Sequence, residues 1–232
     1  MPQKPAEDRL ERYLAHEGLC SRREAKELIR QGSVLVNGKP ARDPGQLINP
    51  NQDTITVPGS SMPDKETVLL YKPRGIETSA TSASAVDIKK KFPKLAHLHP
   101  IGRLDKESEG LILVSNDGTL ARALTSENSH VEKEYLVTTR EPITDTHLNS
   151  MSRGMIIDKM KTKPAHAERR SRTSFSLTLH EGRKHQIRRM CDTCHLTIES
   201  LVRIRIGHLE IDRLRSGNMR SVAPKDIELL KQ

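Results

Sequence analysis

Helix stops and a hairpin turn follow one another so closely in the first forty residues that few folds remain open to this stretch. Leu10, Tyr13 and Leu14 fall at helical spacing and form one apolar stripe, and Gly18 follows where a helix C-terminus favours a left-handed residue. Ser21-Arg22-Arg23-Glu24 has the pattern of a capping box, in which hydroxyl and carboxylate satisfy free helix N–H groups. Ala25, Leu28 and Ile29 continue that second helix, and Gly32 ends it. Val34-Leu35-Val36, Asn37-Gly38 and Lys39-Pro40-Ala41 then read as strand, tight turn and strand, because Asn and Gly tolerate the positive φ a two-residue hairpin needs. A further strand is expected at Thr54 to Val57. The stretch therefore predicts two short helices followed by a hairpin, with Arg22, Arg23, Lys26 and Arg30 on the second helix as candidate grips for phosphates.

Pro58-Gly-Ser-Ser-Met-Pro63 has linker composition and no core-forming residue. The expected organisation is a domain over 1–58, a linker over 59–64 and a second domain over 65–232. In the second domain, strands are expected at Val68 to Tyr71, Leu111 to Ser115, Glu134 to Thr139 and Phe175 to Leu179. Helices are expected at Thr119 to Leu124, Thr144 to Arg153 and Lys184 to Cys194, and a flexible loop at Ala80 to Ala85. Strands interleaved with few helices, without regular alternation, predict an α+β domain on a mixed, largely antiparallel sheet.

Composition bears on the partner. Lys and Arg number 39 against 30 Asp and Glu, a formal charge of +9. From Arg153 to Arg189 there are 11 basic and 3 acidic residues, so +8 falls within 37 positions. A polyanion is the natural partner for such an excess, since neutralising phosphates releases their counterions. Aromatic residues make up only 2% of the chain, which argues against nucleic acid being read on a row of stacking rings. Three cysteines, an odd count, give no disulfide framework, no apolar run approaches membrane-spanning length, and Met1 to Asp8 lacks an apolar signal core. A cytoplasmic, monomeric protein is expected.

The N-terminal stretch, Arg9-Leu-Glu-Arg-Tyr-Leu14 through Ser21-Arg-Arg-Glu-Ala25 to Gly32-Ser-Val-Leu-Val-Asn-Gly-Lys39, resembles the S4 RNA-binding domain. That resemblance adds Arg9 and Lys39 to the expected RNA contacts. Further on, Gly102-Arg103-Leu104-Asp105-Lys106-Glu107-Ser108-Glu109-Gly110 places a charged loop between glycines ahead of a buried strand. Read alone, Asp105 is more simply a turn or cap residue than a catalytic one. The block resembles the catalytic motif of the RsuA-type pseudouridine synthases, the group that includes RluB, RluE and RluF. Leu70-Tyr71-Lys72-Pro73-Arg74-Gly75, Glu132-Lys133-Glu134-Tyr135-Leu136-Val137 and Glu181-Gly182-Arg183-Lys184-His185-Gln186-Ile187-Arg188-Arg189-Met190 resemble that family's other motifs, in family order. The match is nearest the RluF branch, which implies large-subunit (23S) ribosomal RNA, or a pre-ribosomal particle, as partner. Tyr71, where the family often has Asn, and the Lys184-His185 pair depart from that branch.

The resemblance implies Asp105 as nucleophile, Arg188 as its charged partner, Tyr135 as the residue that stacks on the base and moves a proton, and Ile187 as an apolar floor. Arg183 and Gln186 belong with the expected substrate contacts. Arg103 either fills the space left by a flipped base or forms a structural ion pair. The reaction isomerises uridine by breaking N1–C1′ and joining C5 to C1′. It is redox-neutral and calls for no cofactor or metal, and there is no phosphate-binding glycine loop of usual spacing. An ionised carboxylate attacks C1′, as in retaining glycosidases, or removes a sugar proton. Flipping the target base costs a few kcal/mol, least where it is unpaired, so a loop or junction uridine is expected, its backbone held by basic residues between Lys159 and Arg172.

Rival readings are a small-subunit (16S) rRNA or transfer RNA target, a non-catalytic S4 protein assembling ribosomes, and a glycoside hydrolase using Glu107 or Glu109 as a second carboxylate. Cys191-Asp-Thr-Cys194-His195 formally matches a haem-attachment pattern, yet it continues the Arg188 helix, and Cys191 is most simply a buried helix residue. His97 and His99, before Pro100, are expected in a loop.

Overall fold

The computed structural model describes residues 7–20, 22–59, 64–78, 87–126 and 129–231. Ser21, residues 60–63 of the expected linker and the whole of 80–85 lie outside the described residues. The chain divides into two compact units, one of Met1–Thr67 with Ser115–Ala121, the other of Val68–Val114 with Arg122–Gln232.

The first unit opens with β1 (Asp8–Arg9), α1 (Leu10–His16) and α2 (Arg22–Arg30), followed by β2 (Val34–Val36), β3 (Lys39–Ala41), β4 (Leu47–Ile48) and β5 (Ile55–Thr56). Both helices end in the same way. Gly18 and Gly32 take φ of +80° and +74°, and the residues around them return N–H bonds to the last turn: Leu19 to the Leu14 carbonyl (3.1 Å), Ser33 to that of Leu28 (2.9 Å). These bonds satisfy carbonyls that a helix end otherwise leaves open. Asn37 and Gly38 both have positive φ in the β2–β3 turn. Leu10, Leu14, Ala25, Ile29, Val34 and Ile48 close the core.

From Thr67 on, the elements run β6 (Thr67–Lys72), α3 (Ile88–Lys91), β7 (His99–Ile101), β8 (Glu109–Ser115), α4 (Gly118–Thr125, its first four residues in the first unit), β9 (Lys133–Thr139), α5 (Asp145–Arg153), β10 (Ile156–Ile157), β11 (Met160–Lys161), β12 (His166–Arg169) and β13 (Ser174–Leu179). They continue with α6 (Gln186–Thr193), β14 (Ile198–Ile206), β15 (Leu209–Glu210), β16 (Met219–Ser221) and α7 (Pro224–Leu230). Strands β12-β13-β9-β14-β8-β6-β16 form one sheet, in which β14 and β8 are parallel while the β12–β13, β13–β9, β9–β14 and β6–β16 pairs are antiparallel. Val137, Phe175, Leu177, Met151, Ile187, Met190 and Cys191 pack α5 and α6 onto one part of the sheet. Val68, Leu70, Ile112 and Val114 pack with Ile88, Phe92, Leu95 and Leu98 in another cluster. The α+β architecture and its mixed, largely antiparallel sheet are as the sequence predicts. Two local expectations are corrected. His99 opens strand β7 through pairing with β8, and the helix expected from Lys184 begins only at Gln186, because His185 adopts a left-handed φ of +55°.

Candidate active site

Asp105 sits on the loop between β7 and β8, and the chain holds that loop by its backbone. Arg203 donates to the Arg103 carbonyl (3.4 Å) and Thr78 to that of Leu104 (2.5 Å). Ser108 N–H reaches the Asp105 carbonyl (3.0 Å), and Gly75 N–H (2.7 Å) and Lys72 Nζ (3.5 Å) reach that of Lys106. Arg188 Nη2 closes the series on the Glu107 carbonyl at 2.9 Å. Every carbonyl from Arg103 to Glu107 thus has a donor. A loop with its acceptors so engaged has few ways to rearrange, which is what a catalytic side chain needs for preorganisation.

Two buried cations do part of this work. Lys72 is fully buried, with Nζ donating to the carbonyls of Pro73 and Ile76 (both 2.8 Å). Burial depresses its pKa to about 8 even though Glu107, Glu109 and Asp105 favour its charge. Arg203, 5% exposed, donates Nε to the Leu111 carbonyl at 2.6 Å. At the end of the loop, Gly110 has φ of +106°, and a Cβ there would stand 2.3 Å from the Arg203 carbonyl oxygen. Only glycine lets β8 approach β14 so closely.

The Asp105 carboxylate is 35% exposed and faces two bases: Arg188 Nε lies 4.0 Å from Oδ2, and His185 Nε2 lies 3.5 Å from Oδ1. Arg188 is tied in turn to Ser108 Oγ, which accepts from Nη2 at 3.0 Å. Arg188 comes from the first turns of α6 and His185 is its N-cap, so the left-handed turn at His185 brings both groups to one carboxylate. Ile187, between them in sequence, points into the core, 5% exposed, and Tyr135 packs against the same cluster. Tyr135 is set by register: Arg203 pairs with Gly110 on β8 and with Tyr135 on β9, so the tyrosine lies in the row that ends the Asp105 loop.

Other expected contacts are placed differently. Arg183 donates to the Lys161 carbonyl (2.7 Å) and to Glu181 (3.2 Å); Gln186, 4% exposed, bonds Glu181 (2.9 Å) and accepts from the Arg183 N–H (3.1 Å). Arg183 therefore fastens the turn that carries His185 to the β10–β11 hairpin, and Gln186 closes that turn on itself. Arg103 is exposed. In the basic stretch, Arg169 pairs with Asp145 and Arg170 with Glu134 and Glu168, while Lys159, Lys161, Lys163 and Arg172 are exposed. In the first unit, Arg9, Arg22, Arg23, Arg30 and Lys39 are exposed and Lys26 is half-buried, although buried Glu11 accepts from Arg22 (2.8 Å) and lies 4.0 Å from Lys26. His185 is the residue that sequence reasoning noted only as a departure. Its signal was its place beside Gln186-Ile187-Arg188, but the left-handed turn that aims it is not readable from residue type.

The family model for RNA pseudouridylate synthases matches residues 66–193, and that for the S4 domain matches residues 8–53. The chain belongs to the RNA pseudouridylate synthase family. It is 34% identical to ribosomal large subunit pseudouridine synthase B of Bacillus subtilis, over 97% of this chain and 96% of that protein. It is also 34% identical to the dual-specificity RNA pseudouridine synthase RluF of Escherichia coli K12, over 96% of this chain and 78% of that one. Ribosomal small subunit pseudouridine synthase A of Pasteurella multocida is 33% identical over 94% and 97%. A crystal structure of a pseudouridylate synthase superposes with a TM-score of 0.72 at 30% identity, covering 96% of this chain and 99% of that one. Family membership makes this chain an RNA pseudouridine synthase with an N-terminal S4 domain. No helix among the described residues is long and apolar enough to cross a membrane.

Proposed function

We propose that this enzyme converts a specific uridine of large-subunit (23S) ribosomal RNA to pseudouridine, with Asp105 as nucleophile. The observation that carries the reading is the Asp105 carboxylate, held between Arg188 and His185 on a loop whose carbonyls the chain itself occupies. Relatives named as large-subunit and dual-specificity synthases, at 34% identity across nearly all of this chain, support the RNA class. A carboxylate oxygen attacks C1′ as the N1–C1′ electrons pass to uracil, or it removes a sugar proton to the same end. The base turns, and C5 bonds to C1′ as the aspartyl O–C1′ bond breaks or, on the second route, as the sugar carbon regains its proton from Asp105; the C5 proton then leaves to solvent and N1 gains one. Arg188 orients the carboxylate and offsets its charge. Tyr135 lies against the base, with Ile187 beneath it as packing.

Residues 1–58 act as the RNA-gripping domain through Arg9, Arg22, Arg23, Lys26, Arg30 and Lys39, separated by 59–64 from the catalytic domain of 65–232. Arg183 and Gln186 serve by holding the His185 turn.

Tritium release from [5-³H]uridine-labelled ribosomal RNA tests the reading, with wild type and Asp105→Asn side by side. Release by wild type alone, mapped to one large-subunit uridine, is the expected result. Equal release by Asp105→Asn overturns the nucleophile. Release confined to small-subunit rRNA or transfer RNA overturns the substrate.

A further inference from the structure

We propose a second subsite beside Asp105 that takes a guanine base of the substrate RNA, from a nucleotide neighbouring the target uridine. The inference rests on the synthase reading above. Its site is a cleft of about 440 Å³ lined by Arg188, Asp192, His195, Leu196, Thr197 and Ile198, between the end of α6 and the start of β14. That volume lies in the range of small-ligand sites, roughly 300–1,000 Å³.

The cleft's polar groups are available. Arg188 and Asp192 stand one helical turn apart on the same face of α6, yet they form no ion pair with each other. Among the described residues, the side chains of Asp192 and His195 have no hydrogen bond or ion pair. Arg188 commits Nε toward Asp105 and Nη2 to the loop, leaving Nη1 as a free donor. Thr197 is not available, since its N–H and hydroxyl both bond Glu141, at 2.6 and 2.9 Å. Buried Leu196 and half-buried Ile198 supply apolar surface.

A donor beside a two-oxygen acceptor complements one base edge best. Guanine presents O6 as acceptor next to N1–H and the N2 amine as donors, so Arg188 Nη1 meets O6 and the Asp192 carboxylate meets both N–H groups. A carboxylate in the cleft disfavours phosphate, which turns the nucleotide base-inward. The His195 ring and the apolar wall then take the base faces. Because Arg188 also bears on Asp105, the guanine belongs to a nucleotide adjoining the target. Asp192 and His195 thereby acquire a role that the haem-attachment pattern of this stretch does not supply.

The test uses the full-length protein and a short RNA carrying the mapped uridine, with each nearby guanosine replaced singly by inosine, which lacks only the N2 amine. Wild type is expected to lose roughly tenfold in kcat/KM at one such position. Asp192→Asn is expected to process guanosine and inosine RNAs at that position equally. His195→Asn, which keeps a residue tolerant of the left-handed turn, is expected to weaken both RNAs alike. No inosine-sensitive position in wild type, or full sensitivity retained in Asp192→Asn, overturns the subsite. An inactive wild type would sink the synthase reading instead, so the two failures are distinct.

Discussion

Lys72 is a fully buried ammonium that touches only backbone carbonyls, and burial brings its pKa down to about 8. In the unfolded chain it titrates at the ordinary lysine value of 10.5. Between about 8 and 10.5 the unfolded state therefore carries a proton that the folded state has released, and the Lys72 contribution to stability rises with pH. Below about 8 the fold bears the whole cost of the buried charge. Urea unfolding of wild type and Lys72→Met at several pH values should show this slope in the difference between them; parallel curves would refute it. His185 meets the other oxygen of the Asp105 carboxylate, with Nε2 3.5 Å from Oδ1. A permanent cation at position 185 would tie up Oδ1, the oxygen that Arg188 does not face. Tritium release should be slow in His185→Arg and should change less in His185→Gln. Wild-type release in His185→Arg would remove His185 from the mechanism.

Among the elements, β8 and β14 shape the candidate site. Their parallel contact is possible because Gly110 has no Cβ, and β14 in turn sets Tyr135 through Arg203. Gly110→Ala should combine the strain of its positive φ, on the order of 1–3 kcal/mol, with a clash against the Arg203 backbone. The expected outcome is a lower melting temperature with activity lost disproportionately; a variant as stable and active as wild type would show that the approach is not needed. The helices and hairpin of the first unit, and strands β6, β8, β9 and β13, were legible because caps, turn residues and apolar runs are local signals. Strand β14 was not. Arg203 and Arg205 make Ile198–Ile206 look like exposed chain, whereas Arg203 is buried on carbonyls contributed by residues about a hundred positions away. Asp105 and Arg188 were picked out by motif resemblance, since nothing local in either segment announces a partner 83 positions off. The His185 turn and the cleft around Asp192 depend on tertiary packing that no window of sequence contains.

At the scale of the molecule, a charge of +9 is divided between side chains that hold the protein together and those left for a partner. Arg205 bridges Glu132 and Glu134, Arg74 bonds Glu107, and Arg22 leans on Glu11, whereas Arg9, Arg23 and Lys39 are exposed. Neutralising Arg9, Arg23 and Lys39 to Gln should flatten the dependence of RNA affinity on salt by up to about 2–3 log units per decade, at roughly 0.7–0.9 for each phosphate no longer neutralised. The turnover of bound RNA should change little. An unaltered salt slope would take the S4 surface out of RNA binding.

The backbone closure of the Asp105 loop also bears on how such an enzyme changes over generations. With the carbonyls of Arg103 to Glu107 already spoken for, the substrate finds side chains and N–H groups rather than main-chain acceptors to bind in this stretch. Side chains can be exchanged one at a time without moving the carboxylate. Descendants of such a chain are therefore free to wander among RNA targets while the bond-making step stays fixed, and a new preference costs them a few surface substitutions instead of a new enzyme.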